Sequence, residues 1–503
     1  ASNVSTTNAP TSAPRSGLKD LQSPQADDIT EFPFALGVAS GDPAPTSVVL
    51  WTKLITDALS GKGVGADRAV LWEMATDEDF KNIVARDLEP APEEFANSVH
   101  VDVTNLEPAT SYWYRFKIGS HTSVVGRTRT APAEDAAVES LKIAFASCQL
   151  RTAGYWTAYP HMVSDEPDVV FFLGDYIYEY VGGQGDLAVP LDNEPQTLDD
   201  YRVVYGAYKR DQRIQDAHAC APWVLTWDDH EVENNHAGAI PEKDEDRAGF
   251  SSRRRAAYQA YWEHQPIRTD PPAEDGSLQM YRSLRWGTLA EFFVLDGRQY
   301  RTDQPCGDQV ITSRSNCEGL EDENATMLGN EQEKWLIEGL KDSGAQWKVL
   351  AQQTVMKALV LGDLLLNPDQ WDGYPAARQR LLSTIDENQI SDVVVLTGDI
   401  HAAGAASLRI PDAGTSGKVV ASEFVTTSIS SPGFGAIVGD LDLTPLGLAY
   451  ANFKDRGYGR ATITKDSWVT QFVTVDTVKE PQSDAQVDAT VTVKAGTPGV
   501  VRK

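Results

Sequence analysis

A chain of 503 residues exceeds the size at which one hydrophobic core keeps growing, so two folded units are expected. Apolar residues make up 41% of it, enough for an ordinary globular core and too many for a disordered or fibrous chain. A formal charge of -29 argues against a surface that neutralises a nucleic-acid backbone, so any phosphate met here must be attracted locally, as bound metal cations would do.

In chain order, residues 1–31 are rich in Ser, Thr, Pro and Ala without periodicity and read as a flexible N-terminal segment left after processing. That reading makes a secreted or periplasmic location the expectation, and no apolar stretch is long enough to predict a membrane span. Between 32 and 133, short alternating runs at Ser47–Leu54, Ala69–Ala75, Ser98–Val103 and Ser111–Ile118 predict a small antiparallel β-sandwich. The stretch Leu106–Tyr114 resembles the turn and buried tyrosine of fibronectin type III-like domains. A connector rich in Pro, Ala and acid, Ala131–Glu139, closes this unit.

The grammar then changes. Runs rich in Val, Ile, Leu and Phe recur at Leu141–Ala146, Asp168–Leu173, Trp223–Thr226, Glu291–Leu295, Trp347–Leu350 and Val393–Leu396, with helix-length segments between several of them. Such runs fit strands covered on both faces, and the whole chain is read as α/β, with a layered α/β domain over 134–478. Tyr258, Tyr261 and Trp262 within Ser251–His264, and Trp335, Leu336 and Leu340 in or beside Gly329–Gly339, predict core-facing helices. Arg460–Ile463 and Trp468–Val475 are expected to close the sheet, and 479–503 reads as a C-terminal extension without helical pattern. Cys306 and Cys317 suit a local disulfide, and Cys220 a buried small hydrophobe.

Polar groups stand directly after four of the runs: Ser147-Cys148, Asp175, Asp228-Asp229-His230 and Asp399-Ile400-His401. Side chains held at the carboxyl ends of strands converge on one crevice, so a common site is expected. Asp175 and Tyr178, three residues apart on one tight turn, can bind a metal jointly, and a second carboxylate oxygen can bridge to another ion. His230 stands beside these groups and is the candidate acid. A helical zinc site is excluded by spacing, because position 234 is Asn where its second histidine would fall. No Gly-x-Ser-x-Gly elbow occurs, and no histidine is followed two positions later by Lys.

The runs Phe145–Cys148, Gly174–Tyr180, Trp227–Asn235 and Thr397–His401, supported by Gly37–Pro43 and Leu295–Arg301, resemble alkaline phosphatase D. That family belongs to the calcineurin-like metallophosphoesterases and resembles purple acid phosphatases at the metal site. The resemblance implies a catalytic domain layered α/β/β/α, with Fe3+ held by Cys148, Asp175, Tyr178 and His401. Mixed thiolate, phenolate and imidazole donors suit such a metal better than Mg2+ or Ca2+. It also implies Ca2+ beside the iron, with Asp175 bridging and oxygens from Asp399, Asn235 and Asp228 or Asp229. Adjacent strand residues face opposite ways, so one of that last pair should point inward and the other outward. Arg298 and Tyr300 are weaker candidates for substrate oxygens, a surface salt bridge being an equal reading of Arg298. The expected activity is hydrolysis of phosphate mono- and diesters by metal-activated water. A phospholipase D-like action on lipid head groups at the same metals is the alternative. A non-enzymatic binding protein ranks well below both.

Overall fold

The computed structural model describes residues 21–243, 247–413, 415–433, 435 and 442–502. Apolar runs without alternation bury both faces, which they can do only inside a sheet covered on each side. Val169–Leu173 is such a strand, buried throughout, with Ser140–Ala146 and Trp223–Thr226 parallel to it on either side. A second parallel set runs Ala290–Val294, Trp347–Ala351, Val393–Thr397, Ser416–Val425. These sets are the centres of a ten-stranded and a seven-stranded sheet.

The two sheets pack face to face through Phe145, Phe171, Leu173, Phe292, Leu396 and Phe424, with the Phe171 and Phe292 rings 4.5 Å apart. Helices Leu198–Lys209, Gln212–Cys220 and Arg247–His264 cover the outer face of the larger sheet. Gly329–Asp342 and Pro375–Glu387 cover that of the smaller one. The order is helix, sheet, sheet, helix. Both core-facing helices expected from periodicity are present, with Tyr258, Tyr261, Leu336 and Leu340 buried. Leu198–Lys209 opens with a reciprocal capping box between Thr197 and Asp200.

The four strands expected before residue 133 form, joined by Val38–Ala44 and Ile83–Ala91. Val38, Val48 and Leu50 on one sheet face Val70, Trp72, Met74, Tyr114 and Phe116 on another, making a two-layer β core. The Tyr112 hydroxyl accepts the Glu107 N–H at 2.9 Å, pinning the turn before its strand. This unit does not stand apart from the rest. Val38–Ala44 pairs in parallel with Trp223–Thr226 at Gly41, so Ser47–Lys53 and Ser98–Thr104 become the edge of the ten-stranded sheet. A Cβ at Gly41 would lie 2.0 Å from the Pro266 carbonyl oxygen, which explains glycine there. Next to it, buried Asp42 accepts from Arg282 at 2.6 and 3.0 Å and from the Arg268 N–H at 2.7 Å.

Two expectations at the chain ends are corrected. Of the segment 1–31, residues 1–20 lie outside the described residues, but Ala26 and Ile29 are buried in the β core, so 21–31 is anchored there at two points. Arg456–Thr464 and Ser467–Val475 do not close the sheet, because Ala485–Lys494 and Thr497–Arg502 pair beyond them. Those last strands alternate apolar and polar residues over one covered face, a weaker signal than a run buried on both sides. The Cys306–Cys317 disulfide forms, and Cys220 is half-buried rather than fully enclosed.

Candidate metal centre

Three of the four polar clusters, at Cys148, Asp175 and Asp399, leave a parallel strand at its carboxyl end through a left-handed residue, and Asn235 adopts the same conformation further along the turn after Thr226. Cys148, Asp175, Asn235, Asp399 and His401 all have left-handed backbone angles, φ between 51° and 64°. Such conformations cost about 1–3 kcal/mol each and persist where surrounding structure holds them. Gly174 makes one of these turns possible, since a Cβ there would meet the Asp228 Cβ at 2.4 Å.

The turns bring three overlapping sets of donor atoms together, each set lying within 4.8 Å: Cys148, Asp175 and His401; Asp175, Asp229 and His230; and Asp175, Asp228, Asp229 and Asp399. Asp175 belongs to all three. The Tyr178 hydroxyl joins the first set, 2.9 Å from Asp175 Oδ2 and 3.0 Å from His401 Nε2. His401 Nδ1 faces the Pro432 carbonyl at 2.8 Å, which fixes the proton there and turns Nε2 inward as a lone pair.

Burial raises the Asp175 and Asp228 carboxyls well above the ordinary carboxylate range, and neighbouring carboxylates add to it. Asp399 is pushed up to about 7 by burial and by Asp229. Burial likewise pushes up the Cys148 thiol and the Tyr178 phenol, with Asp175 reinforcing both. Asp229 is held low against its burial by Arg298 and His230. Oδ1 of Asp175, Oδ2 of Asp228 and Oδ1 of Asp229 are buried without a hydrogen-bond partner. Buried acceptors of this kind are costly alone, and cations among them would satisfy all three at once. The donor set therefore fits two adjoining ions, one on the sulfur, phenol and imidazole side and one among carboxylates.

Residues 143–472 match the sequence profile of the PhoD-like phosphatases, and 20–132 that of the PhoD-like phosphatase N-terminal domain. The chain belongs to the PhoD-like phosphatase family. It is 44% identical to alkaline phosphatase D of Bacillus subtilis (strain 168) over 468 residues, covering 91% of this chain and 80% of that protein. A solved structure titled "Structure of PhoD" superposes with a TM-score of 0.89 at 41% identity, covering 95% of this chain and 93% of the other. This PhoD-like phosphatase is accordingly a phosphoric ester hydrolase.

The alternation expected for Asp228 and Asp229 does not hold. Their strand ends at Thr226, so both lie on the following turn, and both carboxylates belong to the same donor set. Asn235 is brought beside them by its backbone N–H, 2.7 Å from Asp229 Oδ2. His230 Nδ1 lies 2.7 Å from Glu179 Oε2, and its ring centre lies 4.2 Å from that of Tyr178, the two planes tilted by 31°. Despite burial, Glu179 and Asp229 raise the His230 pKa well above its ordinary value.

Arg298 is neither a surface salt bridge nor presented to a substrate. It is fully buried, with Nε on Asp228 and both Nη atoms on Asp369 at 2.8 and 2.9 Å. Tyr300 contacts the Tyr281 ring, which packs on Trp335, so its aromatic neighbours belong to the helix face rather than to the donor cluster.

Several groups that organise the PhoD-like centre carry no mark in the sequence pattern. Asp369 anchors Arg298, and Gln370 donates to Asp399. Glu231 accepts three backbone N–H groups, from Asp175 (3.1 Å), Tyr176 (2.6 Å) and Asp228 (2.8 Å), and so ties together two turns that carry candidate donors. The Trp227–Asn235 run contains it, but only the contacts reveal its work. Glu231→Gln places an amide NH2 against at least one of these donors. It is expected to cost about 1–3 kcal/mol of stability by chemical denaturation and about 10- to 100-fold in metal affinity. Unchanged values in both measurements would remove Glu231 from this role.

Proposed function

We propose that this PhoD-like phosphatase hydrolyses phosphate mono- and diesters with one Fe3+ and one Ca2+ at the cluster. Cys148, Asp175, Tyr178 and His401 would hold the iron; Asp175, Asp228, Asp229, Asn235 and Asp399 would supply the calcium's oxygens. The three buried carboxylate oxygens without a hydrogen-bond partner carry this reading, Asp229 Oδ1 having only the Arg298 guanidinium 3.6 Å away. Cations there would supply positive charge to the phosphoryl oxygens and acidity to the attacking water.

The chain's own residues do the remainder. Glu179 takes Nδ1 of His230, leaving Nε2 as the atom that can donate to the leaving oxygen. Arg298 stays buried and offsets the charge of Asp228, Asp229 and Asp369, so the carboxylates remain packed together before any cation arrives. Tyr180 is 40% exposed, and its ring lies 5.2 Å from that of His230, an aromatic edge available to a leaving group.

The Cys306–Cys317 disulfide supports a secreted or periplasmic location. Among the described residues, no helix is long and apolar enough to cross a membrane. The charge of -29 supports a small phosphate ester, rather than nucleic acid, as partner. We divide the chain into a fibronectin III-like unit over 32–133, supported by the Tyr112 turn, a catalytic unit over 134–478 and an extension over 479–503.

Elemental analysis beside assays on a monoester, a diester and a phospholipid tests the function. Iron and calcium are expected, with turnover of the first two substrates and reversible loss on calcium chelation. A fully active protein free of both metals would overturn the proposal, and turnover of the phospholipid alone would move the substrate to lipid head groups.

A further inference from the structure

The segment Ser428–Pro432 lies as a strap across the iron side of the centre. Ile429 N–H bonds the Ser147 carbonyl at 3.0 Å, and the N–H groups of Ser430 and Ser431 share the Cys148 carbonyl at 3.4 and 3.3 Å. Pro432 supplies the carbonyl that orients His401. Ser431 is fully buried, its Oγ 2.9 Å from the Tyr178 hydroxyl oxygen and 2.9 Å from the Cys148 carbonyl, while the Leu150 N–H holds it at 3.1 Å.

Three polar groups surround the Tyr178 oxygen, and they differ in what they can give it. Asp175 Oδ2, as a carboxylate, only accepts. His401 Nε2 is an acceptor too, because the Pro432 carbonyl holds the ring's proton on Nδ1. Ser431 alone of the three has a hydrogen to donate. The Cys148 carbonyl that competes for it already receives two backbone N–H groups.

We infer that Ser431 is a positioning residue that donates its hydroxyl hydrogen to Tyr178 when the phenol binds iron as phenolate, and so sets the electron donation of that ligand. The inference rests on the iron reading above. A hydrogen bond into a phenolate lowers the energy of its lone pairs, which raises the energy of charge transfer from phenolate to Fe3+. Removing the donor should therefore move the visible band to longer wavelength. It should also lower iron affinity by about 10-fold or more, as loss of a supporting partner does.

The test is visible absorption and iron content of the iron-loaded protein and of Ser431→Ala, Ser431→Thr, Ser431→Cys and Ser430→Ala. Ser430 is the strap control, since its hydroxyl bonds the Leu150 carbonyl and the Trp156 indole instead of Tyr178. A red-shifted band in Ser431→Ala, an intermediate one in Ser431→Cys with its weaker S–H donor, and unshifted bands in Ser431→Thr and Ser430→Ala support the assignment. An unshifted band in Ser431→Ala, or an equal shift in Ser430→Ala, overturns it while leaving the iron site intact. Should Ser431→Ala not hold iron, the Cys and Thr variants decide between the same two results. Absence of any phenolate band from the iron-loaded parent protein overturns the iron reading itself, and the inference with it.

Discussion

Asp175→Asn is expected to abolish bound metal and phosphoesterase turnover together, with activity falling more than about 100-fold, the upper end of what loss of a merely supporting partner costs. Asp175 is the one residue common to all three donor sets, and its Oδ1 is buried without a partner. Asn keeps the volume but replaces one acceptor oxygen by an NH2 group and removes the charge that would draw two cations to one side chain. The metal-free variant should be no less stable than the metal-free parent. Burial raises the Asp175 pKa in the folded chain, so the ionised carboxylate opposes folding at neutral pH. The parent's contribution from this group is fully present below the unfolded carboxylate pKa and is lost as pH rises through the folded one; Asn has no such loss. Metal content, turnover and thermal unfolding of both proteins check this result. Retained turnover at parental metal content would remove Asp175 from the shared position.

Arg298→Met should have its largest effect on stability. The guanidinium is completely buried and reaches Asp228, Asp229, Asp369 and Asp399, the last at 3.7 Å. Removing one partner of a buried ion pair leaves uncompensated charge and costs about 3–5 kcal/mol. That is a large share of the roughly 5–15 kcal/mol that holds a typical domain folded. Arg301, 2.8 Å from Asp369, offsets part of the loss on that side. The expected signature is a destabilisation greater in the metal-free protein than in the loaded one, because cations would supply the missing positive charge to Asp228 and Asp229. Denaturant unfolding with and without metals measures both. Equal losses in the two states would show that Arg298 supports the fold independently of the ions. Arg298→Lys should restore little, since an ammonium cannot make the forked contact with Asp369.

Much of this centre could be read before any coordinates. The runs ending at Leu173, Thr226 and Thr397 are buried throughout and the one ending at Ala146 over its last four residues, a pattern that fits strands covered on both faces, and polar residues placed just beyond them are therefore at a sheet edge. Cys148, Asp175, Asp228, Asp229, Asp399 and His401 could be picked out as candidates for that reason, and Tyr178 by its spacing from Asp175. Asp228 and Asp229 show the limit of the same logic, since alternation applies within a strand and theirs has already ended.

Sequence alone thus determined the α/β character, the turns that carry the candidate donors and the chemical types of those donors, because each depends on residues that are neighbours in the chain. Tertiary structure alone decided what surrounds those donors: Asp369 is 71 residues from Arg298, and Ser431 is 253 residues from Tyr178. A buried charge or phenol is balanced by whatever the fold carries next to it, and that proximity leaves no periodic trace along the chain. For the same reason, the junction of the N-terminal strands with the catalytic sheet at Gly41 and Trp223 became visible only in three dimensions.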